Sequence, residues 1–271
     1  MFLNKKSFFQ TVSFSLFFTL TIMSCSKKKE DSSIPDCKLL KTIGLYSGFG
    51  NQDTANYTFD NNNNLSRVTI SNGLEYTATY SDRKLLTIEL RIQGNPAGLV
   101  GISFFYNTDE TIQKIIRSSI FGADTSYVIT SQFYYSNNQI EKVYYTEYDK
   151  PSNSLVNSED YYFTWENGNI IKLKSVNTFH TPDSSVWRYN YDNKPNYFQK
   201  IHGNVKYPFV NPHFGSGISP NSFPNLLSKN NYIGSPDNPL YIISYIENNN
   251  GLLEAMYWDG DLNERYFYSC Q

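Results

Sequence analysis

Three carboxylates crowd a short stretch near the C-terminal end of the chain, namely Asp259, Asp261 and Glu264. Carboxylate oxygens are ligands that Ca²⁺ prefers, and a pair of carboxylates is what most glycoside hydrolases use. Asp259 with Gly260 is, however, also a good hairpin turn between aromatic residues. We therefore interpret this cluster as a turn, and Glu159 with Asp160 as polar residues at a strand end. The sequence predicts no catalytic residue.

The three histidines of the chain, His180, His202 and His213, are scattered. A shared metal site would require the fold to gather them. The chain also lacks the motifs of a nucleophile elbow, a P-loop, a dinucleotide-binding turn and a zinc-protease helix. We expect neither a metal ion nor a cofactor, and we predict that the protein is not an enzyme.

The N-terminal segment has the layout of an export signal. Lys5 and Lys6 precede an apolar run over 8–23, which is shorter than a membrane span and is diluted by Ser, Thr and Gln. A transmembrane anchor is the alternative interpretation. We predict a signal peptide over 1–24, which is removed, and a tether over 25–36 whose polar composition gives it nothing to bury.

The end of this apolar run, from Ile22 to Cys25, resembles the lipobox of bacterial lipoproteins. The resemblance implies that Cys25 is acylated and becomes the new N-terminus. Each buried methylene contributes roughly 0.8 kcal/mol, so several acyl chains on Cys25 would hold the protein on a membrane without a spanning helix. The charged run that follows resembles the surface-export signals of Bacteroidetes lipoproteins. We expect a lipid-anchored protein of the outer membrane, facing the periplasm or exposed at the surface.

The charge balance argues against nucleic acid as a partner. Removal of residues 1–24 takes Lys5 and Lys6 with it and leaves 21 Lys and Arg against 25 Asp and Glu. Nucleic acid requires a clustered basic surface, which a mildly acidic chain does not suggest.

Two cysteines remain after lipidation, Cys37 near the start of the folded part and Cys270 one residue from the end. An exported compartment permits disulfides, and we predict a bond between these two residues. Two buried thiols are one alternative. A metal or redox site is the other, although no C-x-x-C motif supports it.

The strands that must position these residues follow a sequence pattern that recurs seven times, and we call each occurrence a phrase. Alternating aromatic residues lead into a break rich in Asn, Asp or Gly, and an aliphatic run follows. The last aromatic residues before the breaks are Phe59, Tyr80, Tyr106, Tyr135, Trp165, Tyr191 and Tyr245. Alternation with period two buries one face of a strand, and Asn and Gly tolerate the positive φ of tight turns. The sequence predicts one all-β domain over 37–271, a meander of antiparallel hairpins that forms a curved, extended sheet.

Return strands are expected after each break, over 65–70, 85–92, 112–116, 140–145, 170–176, 197–201 and 252–258. Most of them carry a base, such as Lys114 or Lys142. A repeated base could form a ligand-binding stripe. We favour the interpretation that these lysines keep the solvent face soluble and discourage edge pairing.

At residues 57–68 the chain reads Tyr-x-Phe-Asp, four residues, then Leu-x-Arg-Val, which resembles the YD-type repeats of bacterial shell and cell-surface proteins. With its Cys-Lys-Leu opening at 37–39 and its aromatic close at 266–270, the chain more closely resembles the uncharacterised Bacteroidetes lipoproteins of the DUF4595 type. It differs from true YD arrays in its uneven spacing and in lacking a regular Gly after the Asp. The resemblance implies a curved sheet of hairpins with no assigned activity.

A proline-rich insertion over 204–240 interrupts the hairpins. Its prolines are Pro208, Pro212, Pro220, Pro224, Pro236 and Pro239. Such a composition cannot continue a central strand, so we predict a long ordered loop with one helical turn near 223–227. Long loops of this kind are often covers or binding segments, and both interpretations stay open.

Aromatic residues are the candidates for binding. Phe105 and Tyr134 stand where most other phrases have a polar residue, and Tyr162 and Trp187 could stack on sugar rings or form a protein interface. We therefore predict a non-catalytic, lipid-anchored module that binds a glycan or an envelope protein. A purely structural envelope protein and a polysaccharide-acting hydrolase are the alternatives. Separately, Asp53-Thr54-Ala55 resembles the O-glycosylation acceptor of Bacteroidetes, which implies a glycan on Thr54.

Overall fold

The computed structural model describes residues 37–44, 53–82, 84–93, 98–121, 124–179, 183–201, 220 and 223–270. All of these belong to the unit Pro35–Gln271. The predicted signal peptide, Cys25 and the tether lie outside the described residues, as do the three histidines.

The described residues form seventeen strands and two short helices. The first nine strands are β1 (Cys37–Gly44), β2 (Asp53–Phe59), β3 (Leu65–Ile70), β4 (Leu74–Ser81), β5 (Lys84–Ile92), β6 (Gly98–Tyr106), β7 (Ile112–Phe121), β8 (Asp124–Ser136) and β9 (Gln139–Asp149). They are followed by β10 (Ser154–Glu166), β11 (Asn169–Asn177), β12 (Ser184–Arg188), β13 (Asn190–Pro195), α1 (Tyr197–Ile201), α2 (Phe223–Leu227), β14 (Asn230–Ser235), β15 (Asn238–Glu247), β16 (Leu253–Trp258) and β17 (Asp261–Cys270).

All strand pairs are antiparallel, and almost all join neighbours in sequence. Strands β1 to β12 pair successively, strands β13 to β17 do the same, and β17 pairs with β1. The two outermost strands, β12 and β13, are separated only by Tyr189. The sheet therefore comes close to closing on itself. The prediction of an all-β meander of antiparallel hairpins is confirmed, whereas the near-closure was not predicted.

Period-two alternation explains which face of the sheet is buried. In β3, for example, Leu65, Val68 and Ile70 are buried while Arg67 is exposed. The buried residues of successive strands pack together into one hydrophobic core. We call the face that carries these side chains the inner face, and the opposite one the outer face.

The predicted turns are built from residues that adopt positive φ. Asn137 and Asn138 both do so between β8 and β9, as do Asn167 and Gly168 between β10 and β11. Positive φ at both central residues is the signature of the type I′ turn, whose twist matches that of the flanking strands. The Asn-rich breaks are therefore hairpin turns.

Most of the hairpins also share a bulge next to the turn. In the β6–β7 hairpin, Phe105 lies opposite Lys114 but Tyr106 lies opposite Ile112, so Gln113 is the extra residue. The same shift occurs next to the turns of the β2–β3, β4–β5, β8–β9 and β10–β11 hairpins. A bulge bends the strand and increases its twist, which favours a sheet that curves toward closure.

In six of the seven phrases, all but that of Phe59, the last aromatic residue ties its hairpin to the preceding one. Its hydroxyl or indole N–H donates to a backbone carbonyl at or near the start of an earlier strand. The bonds run from Tyr80 to Leu65, Tyr106 to Leu85, Tyr135 to Ile112, Trp165 to Ile140, Tyr191 to Ile170 and Tyr245 to Tyr232, at 2.6–2.9 Å. These residues are thus both core side chains and hydrogen-bond donors, which explains why Tyr and Trp stand there.

The proline-rich region corrects two predictions. The expected return strand over 197–201 is the helix α1, because Asn196 accepts a hydrogen bond from the Phe198 amide at 2.9 Å and so caps a helical turn. The predicted loop to residue 240 is too long, since β14 begins at Asn230 and β15 at Asn238. Helix α2 spans Phe223–Leu227, where one helical turn was expected.

The two helices fill the core rather than cover it from outside. Phe223 on α2 is fully buried, and its ring stacks between those of Phe133 and Phe163 at centroid distances of 5.7 and 5.8 Å. Tyr197 on α1 and Leu226 on α2 are also buried. Each described helix has five residues, and neither is long or apolar enough to cross a membrane.

A disulfide joins Cys37 to Cys270 across the β1–β17 pair. The two residues are 233 positions apart in sequence. In the chain-entropy model, closing a loop of this length stabilises the folded state by about 5 kcal/mol.

Candidate functional site

Two of the predicted binding residues, Tyr134 and Tyr162, flank one lysine on the outer face. Tyr134 on β8 lies opposite Lys142 on β9, and Lys142 lies opposite Tyr162 on β10. The residues beside the two tyrosines in sequence, Phe133 and Phe163, are buried on the inner face. Because side chains alternate along a strand, the three residues form one row across the outer face.

Phe105 belongs to the same face. It lies opposite Lys114 on β7, which in turn lies opposite Gln132 on β8, two residues before Tyr134. The ammonium of Lys114 sits 4.7 Å from the centroid of the Phe105 ring. Phe105 and Tyr134 are 40% and 43% exposed. Phe105, Tyr134 and Tyr162 are thus all accessible on the outer face, and their role in binding stays a prediction.

Lys142 is the centre of this surface. Its ammonium lies 5.8 Å from the ring centroid of Tyr134, 5.9 Å from that of Tyr144 and 5.5 Å from that of Tyr162. It also forms an ion pair with Asp160 at 2.8 Å, and this hydrogen bond raises the pKa of Lys142. The Tyr162 hydroxyl donates to the same carboxylate at 3.2 Å. One cation is thus held against three aromatic rings.

We call this surface the aromatic–lysine patch, defined by Phe105, Lys114, Tyr134, Lys142, Tyr144 and Tyr162. Cation–π contacts at exposed sites contribute about 0.5–1 kcal/mol each, so Lys142 is held in place by several weak contacts. Asp160, expected at a strand end, lies within β10 and orients both Lys142 and Tyr162.

Further cations lie next to the patch. Lys174 on β11 is opposite Tyr162, and Lys172 on the same strand is opposite Arg188 on β12. Arg188 forms an ion pair with Asp237 at 2.9 Å. The sequence shows these bases and leaves open both a ligand-binding stripe and a role in solubility, because their grouping beside aromatic residues depends on strand register.

Trp187 does not belong to the patch. It lies opposite Leu173, which is fully buried, so the register puts Trp187 on the inner face at the outermost strand β12. Its side chain is nevertheless 38% exposed, because no strand covers β12 on its far side among the described residues. The sequence named Trp187 as a binding candidate but could not assign its face.

A second group of polar side chains lies on the inner face, on strands β7, β9 and β10. Tyr145 donates a hydrogen bond to Glu147 at 3.3 Å, and Tyr161 donates one to Glu159. Burial raises the pKa of Tyr145 to about 12, and the neighbouring Glu147 carboxylate adds to this rise. Burial lowers the pKa of Arg117, while Tyr145 and Glu147 act in the opposite direction. Tyr145 lies opposite Glu159, so Glu147 and Glu159 are diagonal neighbours on adjacent strands. The Cα atoms of such diagonal neighbours are about 7–8 Å apart. Glu159 is therefore mid-strand, not at a strand end.

The carboxylates near the C-terminal end are separated by the fold. Asp259 and Gly260 form the β16–β17 turn with positive φ at both residues. The Asp259 carboxylate accepts a hydrogen bond from the Ile242 amide at 2.8 Å, whereas Glu264 is fully buried and accepts one from Tyr266. Within the described ranges, no three His, Cys, Asp or Glu side chains are grouped to hold a metal ion.

Thr54 lies in β2, and its backbone amide donates a hydrogen bond to Ser71 Oγ at 2.9 Å. The adjacent Asp53 is buried and accepts hydrogen bonds from Ser71 and Asn72 at 2.9 and 3.3 Å. Asp53 thus has a structural role in the loop before β4. Glycosylation of Thr54 stays a prediction.

Several solved structures align with this chain. A porin-like protein from Bacteroides vulgatus matches 87% of this chain and 99% of its own, with 11% identity and a TM-score of 0.52. A porin-like protein from Bacteroides uniformis matches 85% and 96%, with 11% identity and a TM-score of 0.46. A structure of the TcdB2-TccC3 assembly matches 58% of this chain and 10% of its own, with a TM-score of 0.35.

No family model matches the chain, and no curated protein matches it. At 11% identity, the likeness to the Bacteroides vulgatus protein is a likeness of fold.

Proposed function

We propose that this protein is a lipid-anchored protein of the bacterial outer membrane that binds an acidic glycan, without catalysis, at the aromatic–lysine patch. The observation that carries the proposal is Lys142, whose ammonium lies within 6 Å of the rings of Tyr134, Tyr144 and Tyr162.

The chemistry of the patch suits a sugar with carboxylate or sulfate groups. Exposed aromatic rings offer flat apolar faces on which sugar rings stack, and Tyr hydroxyls add hydrogen bonds at the rim. Lys114 and Lys142 stand between those rings, with Lys172, Lys174 and Arg188 beyond them. An acidic chain lying across β6 to β12 would meet rings and cations in alternation.

The location rests on the sequence and on the likeness of fold. The charged start, apolar run and Cys25 support export and acylation, and a porin-like protein from Bacteroides vulgatus has a similar fold. Membership of the DUF4595-type lipoproteins, with their YD-like hairpins, is part of this proposal. The tether would let Cys25 hold the domain at the membrane while the patch stays accessible.

The test is a glycan-array and pull-down screen with the non-acylated protein, which carries Cys25→Ala and lacks residues 1–24. We expect uronic-acid or sulfated oligosaccharides to be retained, and retention to fall when NaCl is raised, since exposed charges are screened. Retention of an envelope protein instead would assign the patch to a protein partner. Retention of neither would favour a purely structural envelope protein and would refute the proposal.

Hydrolysis of a polysaccharide is the second candidate, and one observation favours it. Glu147 and Glu159 face inward as diagonal neighbours on β9 and β10, and a pair of carboxylates is what glycoside hydrolysis requires. Incubation of the protein with the glycans retained on the array tests this candidate. Release of new reducing ends, lost in a Glu159→Gln variant, would support hydrolysis over simple binding.

A further inference from the structure

A cavity of about 630 Å³ opens within the sheet where β16 and β17 diverge. Pairing between the two strands runs from Trp258 with Asp261 to Ala255 with Arg265 and then stops. The turn over 248–252 bends away from β17 at this point, closed by a hydrogen bond from the Asn248 amide to the Leu252 carbonyl. The cavity thus lies where further residue pairs between β16 and β17 would otherwise have formed.

One wall of the cavity is the edge of a strand. Residues 267–270 of β17 pair on one side with β1, from Lys41 opposite Phe267 to Cys37 opposite Cys270. On the side of β16, no strand of the described chain pairs with these four residues. Phe267, Tyr268 and Cys270 all line the cavity. This edge therefore presents backbone amides and carbonyls that a further strand could satisfy.

The edge is held in an extended form before any partner arrives. The disulfide to Cys37 fixes the end of β17, and the register with β1 fixes the rest. At about 3.3 Å per residue, four residues offer an edge of about 13 Å. A preorganised edge of this length suits strand addition, in which main-chain hydrogen bonds supply affinity and alternate side chains supply specificity.

The charges beside the edge select the partner. Arg265, Phe267 and Ser269 alternate on one face of β17, and Lys41 places its ammonium 4.7 Å from the Phe267 ring. Lys38, opposite Ser269, lies on the same face. Arg265 lines the cavity, and Lys41 lies against Phe267, which also lines it, so two cations stand beside one lining acid, Glu254. We propose that this cleft binds an extended acidic peptide segment of a partner protein, which adds a strand to the free edge of β17.

The proposal is independent of glycan binding, because the cleft and the aromatic–lysine patch share no residue. Its test uses the non-acylated protein and a phage-displayed library of random twelve-residue peptides. We expect the enriched peptides to carry Asp or Glu at alternate positions. Amide hydrogen exchange by NMR on the protein with an enriched peptide should slow at least tenfold for those amides of residues 267–270 that point away from β1.

Charge reversal gives a second readout. Arg265 is exposed, so Arg265→Glu should fold and should weaken binding of the enriched acidic peptides at least tenfold. Lys150→Glu, in the turn between β9 and β10, should leave this binding unchanged. Enrichment of peptides that leave exchange at 267–270 unaltered, or of none at all, would overturn the proposal. Slowed exchange at this edge together with concentration-dependent dimerisation, without peptide, would assign the edge to a second copy of the chain and equally overturn it.

Discussion

The hydroxyl of Tyr106 donates a 2.9 Å hydrogen bond to the backbone carbonyl of Leu85, across two successive hairpins. Leu85 is buried and sits beside the bulge of its own hairpin, where the ladder of strand hydrogen bonds is interrupted. The phenol of one repeat therefore satisfies a carbonyl of the repeat before it. The same relationship recurs at most of the other phrases, so the sheet is held together by side chains as well as by its backbone.

A Tyr106→Phe substitution should destabilise the protein by about 1–2 kcal/mol, because it leaves the Leu85 carbonyl without its donor while keeping the ring in the core. Urea unfolding measures the change. Tyr134→Phe is the matched control, since that hydroxyl is on the exposed outer face, and we expect a change within about 0.5 kcal/mol. Equal effects of the two substitutions would show that the hydroxyl bond does not stabilise the fold.

Phe223→Ala should cost about 3–5 kcal/mol, because the ring is fully buried between Phe133 and Phe163. The substitution leaves a cavity in the part of the core that helix α2 fills. Leu240→Ala serves as the control, since Leu240 is 82% exposed. If thermal unfolding of the Phe223 variant matched that of the control, the helix would be a peripheral cover instead of part of the core.

Gly234→Ala should destabilise β14 strongly. Gly234 has a φ of +138°, and a Cβ there would approach the Tyr241 carbonyl oxygen to 2.3 Å, so the backbone of β15 would have to move. We expect a loss of more than about 2 kcal/mol. Gly101→Ala is the control, because a Cβ at Gly101 meets nothing within 4 Å. A Gly234 variant as stable as the Gly101 variant would contradict the described β14–β15 geometry.

Stability should fall as the pH rises from 10 through 12. Burial raises the pKa of Tyr145 and of Tyr232 to about 12 from the ordinary value of 10. The folded protein then holds these phenol protons more tightly than the unfolded chain does. Their contribution to the free energy of unfolding is therefore complete below pH 10 and is lost as the pH rises from 10 through 12. Denaturant unfolding at pH 9 and pH 11 measures the loss, which should be smaller in Tyr145→Phe. An unchanged loss in that variant would exclude Tyr145 as a source.

Strands were predictable where alternation and turn residues coincided. Leu65–Ile70 was obtained with its correct bounds because the Asn-rich break at 61–64 and the alternating run around Val68 indicate the same hairpin. The run over 197–201 failed for a physical reason. Five apolar and polar residues fit a strand or a helix equally well, and the helix is selected by Asn196, whose side-chain amide donates to the Asn225 and Ser228 carbonyls at 2.7 and 2.8 Å.

The candidate site was predictable only in part. Alternation alone put Phe105 and Tyr134 on the outer face, because each follows a buried phenylalanine. Which lysine meets which ring depends on the pairing of neighbouring strands, and the bulge next to each turn shifts that pairing by one residue. The inward position of Trp187 has the same origin, since only its pairing with Leu173 assigns its face.

The most direct test of the proposed function compares two aromatic substitutions on opposite faces. For an acidic oligosaccharide retained on the array, isothermal titration calorimetry should show at least tenfold weaker binding for Tyr162→Ala, which removes a ring beside Lys142. Trp187→Ala, equally exposed but on the inner face, should bind like the unsubstituted protein. Weakening by Trp187→Ala with no effect of Tyr162→Ala would contradict the assignment of binding to the aromatic–lysine patch.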